Sequence, residues 1–122
     1  MEQRTTVGID LAKEVFAVCV MNAVGVVIER HRLRRAAFER WLRALHEPYV
    51  VAMEACSSAH HWARLLGARG HTVRLIAPAF VTPFRKSGKN DAHDAEAIAI
   101  AARQPTMRFV PVKTVEAQTT LC

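Results

Sequence analysis

Two aspartates, Asp91 and Asp94, lie three residues apart at the start of an alanine-rich stretch. On a helix, residues i and i+3 are neighbours, so both carboxylates would point into one small volume. Ile98 follows Asp94 at i+4 and would bury the same side of the helix against a core. Two carboxylates converging above an apolar surface are costly unless a cation lies between them. The pair is therefore a candidate site for a divalent cation.

An ordinary structural explanation competes with this one. Asp is a favoured N-cap residue, and acids in a first turn suit the helix dipole, so Asp91 and Asp94 could form a capping box. Taken alone, capping is the stronger explanation for this pair. The site hypothesis depends on acids elsewhere in the chain.

Two further acids end strand-like runs. Asp10 ends a β-rich run over residues 5–10, and Glu54 ends a continuous apolar run over residues 49–54. Continuous apolarity is typical of a central strand that is buried on both faces. If a right-handed crossover places the second run parallel to the first, Asp10 and Glu54 lie side by side at one edge. Ligand sites of open α/β sheets occur at the carboxyl ends of their strands.

The remaining elements supply the frame for these acids. Strands over 5–10, 15–21 and 26–31 predict an antiparallel meander, and a basic amphipathic helix over 35–45 follows. Ser57 or Ser58 is expected to cap the next helix, which Gly67 or Gly70 could end. A fifth strand is predicted over 72–76, and a basic loop with at most one turn of helix over 77–90. A helix follows from Asp91 to about residue 103.

This order predicts an α/β fold with a mixed five-stranded sheet and helices on both faces. Residues 107–112 read as extended, and Thr114 reads as the cap of another helix that has barely begun when the chain stops. We therefore expect a domain over residues 1–113, with residues 114–122 starting a truncated helix that leads into a missing C-terminal domain.

Asp10, Glu54, Asp91 and Asp94 together form a candidate catalytic magnesium site. Mg²⁺ prefers oxygen ligands and keeps positions for water and phosphate oxygens, and Mn²⁺ can substitute for it. Two such ions stabilise the attacking and the leaving oxygen of a phosphodiester displacement. The chemistry indicated is cleavage or transfer of nucleic-acid strands.

The charge of the chain fits such a substrate. Its 17 Lys and Arg against 11 Asp and Glu give 122 residues a formal charge of +6, which favours a polyanionic partner. The six arginines from Arg30 to Arg43 are most often a solvated face, but their density keeps phosphate binding open. The predicted contacts to nucleic acid are Arg85, Lys86, Lys89, Asn90, Arg35 and Arg40.

Other sequence features narrow the class of protein. No apolar run approaches the length of a membrane span, and the first residues lead into a strand, so a cytoplasmic protein is expected. The three cysteines lack a CxxC spacing, which argues against a disulfide framework or a zinc knuckle. Cys19 is expected in the core. The histidines, including His93, lack a metal-binding spacing such as HExxH.

Three ordered motifs resemble the N-terminal domain of the DEDD insertion-sequence transposases, the recombinases guided by a bridge RNA. They are residues 7–13 (VGIDLAK), residues 53–56 with 59–64 (MEAC, AHHWAR), and residues 89–95 with 97–98 (KNDAHDA, AI). The resemblance continues through residues 107–113 (MRFVPVK) and so covers nearly the whole chain.

The resemblance implies an RNase H-like domain related to the Holliday-junction resolvase RuvC. Asp10, Glu54, Asp91 and Asp94 carry over as its Mg²⁺ ligands. It also implies DNA as the substrate, a structured guide RNA and a homo-oligomeric assembly. A C-terminal domain whose serine attacks DNA is absent from these residues, so this fragment alone is expected to be inactive.

Two other classes of protein remain open at the level of the sequence. A non-catalytic nucleic-acid-binding or assembly remnant of a transposase would share the fold without turnover. An actin-like sugar kinase also opens with a Gly-Ile-Asp strand, but no glycine cluster for a second phosphate loop follows Gly8.

Overall fold

The computed structural model describes residues 4–86 and 91–120, and it leaves out the side chains of residues 91–92 and 119–120. Five strands form one sheet in the order β3-β2-β1-β4-β5. β1 pairs antiparallel with β2 and parallel with β4. The bounds of the strands are β1 Thr6–Asp10, β2 Val15–Met21, β3 Val27–Arg34, β4 Val50–Glu54 and β5 Thr72–Ile76.

Helices cover both faces of this mixed sheet. Their bounds are α1 Arg35–Arg43, α2 Ser57–Ala68, α3 Pro78–Val81, α4 Asp91–Ala102 and α5 Val115–Thr120, with a 3₁₀ helix over Thr82–Phe84. None of the helices within the described ranges is long and apolar enough to cross a membrane. The predicted fold class, a mixed five-stranded sheet between helices, is confirmed.

Alternation along the strands divides the core into two layers. On one face Ile9, Val18 and Met53 pack with Phe38 of α1 and Trp62 of α2. On the other face several strand residues are small, and alanines of α4 pack against them; this group includes Ala17, Cys19, Ala52, Ala95 and Ala97. Large side chains therefore fill one layer, while the other brings a helix close to the sheet. Cys19 is fully buried, as expected.

Three local expectations were wrong. β3 continues to Arg34 rather than ending near His31. Its last residues are mostly polar and give little strand signal, but they pair with β2. Neither Ser57 nor Ser58 caps α2, since Cys56 is the N-cap and makes no side-chain capping hydrogen bond. The region after β5 is more helical than predicted.

The helical character after β5 comes from its prolines. Pro78 and Pro83 lie in the first turns of α3 and of the 3₁₀ helix, where the missing N–H group has no helical partner to lose. These two short helices end at Phe84, directly before Arg85. The end of α2 is as expected, because Gly70 follows with a φ of 93°.

Candidate active site at the acid edge

The sheet places Asp10 and Glu54 at the ends of neighbouring parallel strands, as the right-handed crossover predicted. In the parallel pairing of β1 with β4, Ile9 lies opposite Met53, so each acid is the next residue at its strand end. Asp10 alternates with Gly8, and Glu54 with Ala52, which places both acids on the face that α4 covers. We call this end of the sheet the acid edge.

Gly8 explains how α4 reaches the acid edge. A Cβ atom at Gly8 would overlap the carbonyl oxygen of Ala95 and come within 2.8 Å of the Ala99 nitrogen. The helix backbone therefore lies directly on the strand backbone, as a glycine without a side chain allows. This close approach sets the height of Asp94, one residue before Ala95, above the end of β4.

One guanidinium joins Glu54 to Asp94. Nη2 of Arg85 donates a hydrogen bond to Oε2 of Glu54 at 2.6 Å, and Nε donates to Oδ1 of Asp94 at 2.8 Å. All three side chains are about 30% exposed. Burial lowers the pKa of Arg85, but the hydrogen bonds to Asp94 and Glu54 outweigh it and raise that pKa. Two of the predicted site acids thus converge on a single cation.

The other two predicted acids are placed only in part. Asp10 lies at the acid edge by strand register, and Asp91 begins α4, but the side chain of Asp91 is outside the described residues. Among the described side chains, no group of three or more His, Cys, Asp or Glu residues could hold a metal ion. The direct geometry at the acid edge is therefore the Glu54–Arg85–Asp94 arrangement.

A second ion cluster lies on α4, and the sequence did not predict it. Glu96 is only 6% exposed, yet its carboxylate accepts hydrogen bonds from Arg30 of β3 and from Lys86, whose Nζ lies 2.8 Å from Oε2. The hydrogen bond from Lys86, assisted by the one from Arg30, lowers the pKa of Glu96 against the effect of burial. An acid among alanines would have been a signal, because such an acid needs paired cations if it is buried.

The predicted nucleic-acid contacts lie in different surroundings. Arg85 and Lys86 both contact acids, as described above. Arg35 is exposed, and its guanidinium lies 5.4 Å from the ring centroid of Trp62, beside a groove that includes Lys13. Arg40 is exposed on α1, on the opposite face from α4. Lys89 and Asn90 lie outside the described residues.

His60 is buried and has a structural role. Its Nδ1 accepts a hydrogen bond from the backbone N–H of Lys113 at 3.0 Å, which ties α2 to the segment before α5. Arg64 donates to the carbonyl oxygen of the same residue at 2.6 Å. Burial, together with the nearby charges of Lys113 and Arg64, lowers the pKa of His60.

The sequence of the chain matches a known protein family. The model of the DEDD transposases of IS110 type, described as a transposase, matches residues 7–121. The chain belongs to this transposase family. The resemblance of the three motifs is therefore confirmed.

Curated relatives agree with this membership. The chain is 55% identical over 112 residues to a protein of Pseudomonas aeruginosa named "Probable family 20 transposase". The matched region covers 92% of the chain and 33% of the relative. The chain is 44% identical to the transposase for insertion sequence element IS1111A of Coxiella burnetii, over 97% of the chain and 32% of the relative. This family member thus spans about a third of the length of the curated relatives it matches.

A solved structure confirms the RuvC-like fold. The chain superposes on Thermus thermophilus RuvC, solved in complex with a Holliday junction substrate, with a TM-score of 0.64 and 16% identity. The match covers 88% of the chain and 99% of that structure. For this transposase family member, the predicted RNase H-like architecture is thereby established.

Proposed function

We propose that this chain is the metal-dependent nuclease domain of a DNA transposase, which acts within a longer protein to cleave and transfer DNA strands. The observation that carries the proposal is the convergence of Glu54 and Asp94 on one cation at the edge where Asp10 ends the neighbouring strand. Family membership supports the reaction class, and the RuvC-like fold supports a site at this end of the sheet.

Asp10, Glu54, Asp91 and Asp94 are the proposed ligands of Mg²⁺, with Mn²⁺ as a substitute. Carboxylate oxygens are the donors that these hard cations prefer, and Glu54 and Asp94 are already close enough to share one cation. When bound, the metal would supply charge stabilisation for a phosphodiester displacement. The acids themselves hold their positions through β1, β4 and the close packing of α4.

The partners follow from charge and family. We propose DNA as the substrate, a structured guide RNA and a homo-oligomer as the working assembly. The formal charge of +6 supports a polyanionic partner. Arg35, Arg40, Lys89 and Asn90 remain proposed contacts to its backbone, and Arg85 and Lys86 would reach it by exchanging their present partners. A cytoplasmic location suits this substrate.

Calorimetric titration of the chain with Mg²⁺ and Mn²⁺ tests the site. We expect saturable binding that Asp10→Asn, Glu54→Gln and Asp94→Asn each weaken at least tenfold, because each removes a charged ligand. Glu39→Gln is the control, since it removes a carboxylate on α1, on the opposite face of the sheet from α4.

The same substitutions placed in a full-length relative test the reaction. Loss of metal-dependent DNA cleavage with all three acid variants, but not with Glu39→Gln, would support the nuclease assignment. Metal binding and cleavage that survive these substitutions would refute it. Nucleic-acid binding without any metal binding would favour the non-catalytic remnant instead.

A further inference from the structure

Arg85 makes four hydrogen bonds at the acid edge. In addition to the bonds to Glu54 and Asp94, its Nη1 donates to Oγ1 of Thr82 at 3.1 Å, and its backbone N–H donates to the Thr82 carbonyl at 3.1 Å. The guanidinium therefore lies between the two acids in a defined orientation. A planar fork of this kind matches carboxylate geometry closely.

The same two carboxylates cannot serve the guanidinium and a metal ion equally. Oδ1 of Asp94 and Oε2 of Glu54 are directed at Arg85, and a divalent ion placed between them would lie beside a fixed positive charge. Like charges in direct contact repel strongly when they are partly shielded from water. One cation must leave before the other binds fully.

We propose that Arg85 competes with the metal for Glu54 and Asp94, and that nucleic acid relieves the competition by taking the Arg85 guanidinium onto a backbone phosphate. This inference rests on the proposed function, because it concerns the same carboxylates. Arg85 thereby couples metal binding to nucleic-acid binding. The acid edge accepts its metal most readily when a phosphate backbone is present.

The local structure allows this exchange. The Arg85 side chain is 31% exposed, so its guanidinium can reach solvent without unfolding the core. The backbone N–H of Arg85 donates to the carbonyl oxygen of Thr82, which keeps the chain in place when the Arg85 side chain turns away. A freed guanidinium pairs with phosphate through two parallel hydrogen bonds, as it does with carboxylates.

The coupling must work in both directions. If DNA raises the affinity for metal by some factor, then metal raises the affinity for DNA by the same factor. Removing the Arg85 fork should reduce this factor while leaving the carboxylates in place. Metal affinity without DNA separates competition from a role in which Arg85 merely positions the acids. Competition predicts that loss of the fork tightens Mg²⁺ binding, whereas loss of a positioning group would weaken it.

Calorimetric titration with Mg²⁺ alone gives the first test. We expect Arg85→Gln to bind Mg²⁺ about tenfold more tightly than the unsubstituted chain, a typical size for a coupling between sites. Arg85→Lys should lie between them, because a compact ammonium group cannot bridge two carboxylates as a fork does. Arg69→Gln, an exposed charge at the end of α2, controls for the loss of one positive charge.

A spectroscopic readout follows the side chain itself. The Nε–H resonance of Arg85, assigned by its loss in Arg85→Gln, should shift when the unsubstituted chain is saturated with Mg²⁺. Fluorescence anisotropy of a labelled DNA duplex should show that Mg²⁺, at constant ionic strength, tightens DNA binding less in Arg85→Gln than in the unsubstituted chain. Far-UV circular dichroism checks that each variant is folded.

The opposite results would overturn the inference. Equal or weaker Mg²⁺ binding by Arg85→Gln, or an Arg85 resonance that saturating Mg²⁺ leaves unchanged, shows that the two cations do not compete. If the acid variants lose metal binding while Arg85→Gln gains none, the proposed site stands and only the competition fails. If the acid variants bind metal normally, the site itself is refuted.

Discussion

Gly8 on β1 and Ala95 on α4 are in backbone contact, and this contact determines the height of the helix above the sheet. A side chain at Gly8 would overlap the Ala95 carbonyl, and its Cβ would lie 2.9 Å from the Cβ of Ala99. Backbone atoms on a packed helix cannot yield as the end of a long side chain can. The position of Asp94 beside Glu54 therefore depends on Gly8, which lies in neither β4 nor α4.

Gly8→Ala should destabilise the domain by about 3 kcal/mol, because it overpacks a contact between two backbones. Urea unfolding followed by circular dichroism measures this change. Gly67→Ala is the matched control, since no atom lies within 4 Å of a Cβ at that position in α2. The control should be neutral or stabilising by up to about 1 kcal/mol. Equal effects of the two substitutions would contradict the contact.

Glu96→Gln should lower the free energy of unfolding at neutral pH by about 2 kcal/mol, because it weakens the charged hydrogen bonds to Lys86 and Arg30. The folded pKa of Glu96 lies below its ordinary value of 4.5, so its stabilisation is complete above that pH. It is lost as the pH falls from 4.5 through the lowered pKa of the folded state.

Urea unfolding at pH 7 and at pH 4 tests this dependence. The difference between the unsubstituted chain and Glu96→Gln should narrow at the lower pH. Glu39→Gln, which weakens an exposed pair with Arg35 at 3.6 Å, should change stability by less than about 0.5 kcal/mol at either pH. A gap between Glu96→Gln and the unsubstituted chain that widens at low pH would show that the pKa shift has the opposite sign.

His60→Gln should reduce the hydrogen-exchange protection of the Lys113 amide about fivefold, the equivalent of about 1 kcal/mol for one hydrogen bond. His61→Gln changes an exposed neighbour on the same helix and should leave that protection unaltered. If both variants lose it equally, helix α2 rather than the His60 ring protects the amide.

The same histidine predicts a pH dependence. Its folded pKa lies below the ordinary 6.5, so the unfolded chain takes up a proton first as the pH falls. The contribution of His60 to stability is therefore complete above pH 6.5 and decreases below it. Stability measured between pH 7 and pH 5 should fall less steeply in His60→Gln than in the unsubstituted chain.

Cys56 should react rapidly with a thiol reagent in the folded protein, whereas Cys19 should react only after unfolding. Cys56 is exposed, while Cys19 is fully buried beside α4, and burial raises the pKa of its thiol. A Cys56→Ser, Cys122→Ser variant isolates the Cys19 thiol. Fast modification of that variant without denaturant would show that α4 opens from the sheet.

The sequence determined the elements and their approximate order, because hydrophobic periodicity and chain punctuation are local signals. The apolar run ending at Glu54 predicted a central strand, and the right-handed crossover rule predicted its parallel pairing with β1. The adjacency of Asp10 and Glu54 followed from these two inferences. The family motifs supplied the RuvC-like architecture, which the solved structure supports.

Only the tertiary structure showed what each charged side chain contacts. Arg85 reads as a free basic residue in the sequence, yet in the fold it joins Glu54 to Asp94, which are distant in the chain. Glu96 reads as one polar position in an alanine-rich helix, yet close packing through Gly8 buries it between Arg30 and Lys86. Ion pairs of this kind depend on distances between separate elements, and local sequence patterns contain no information about those distances.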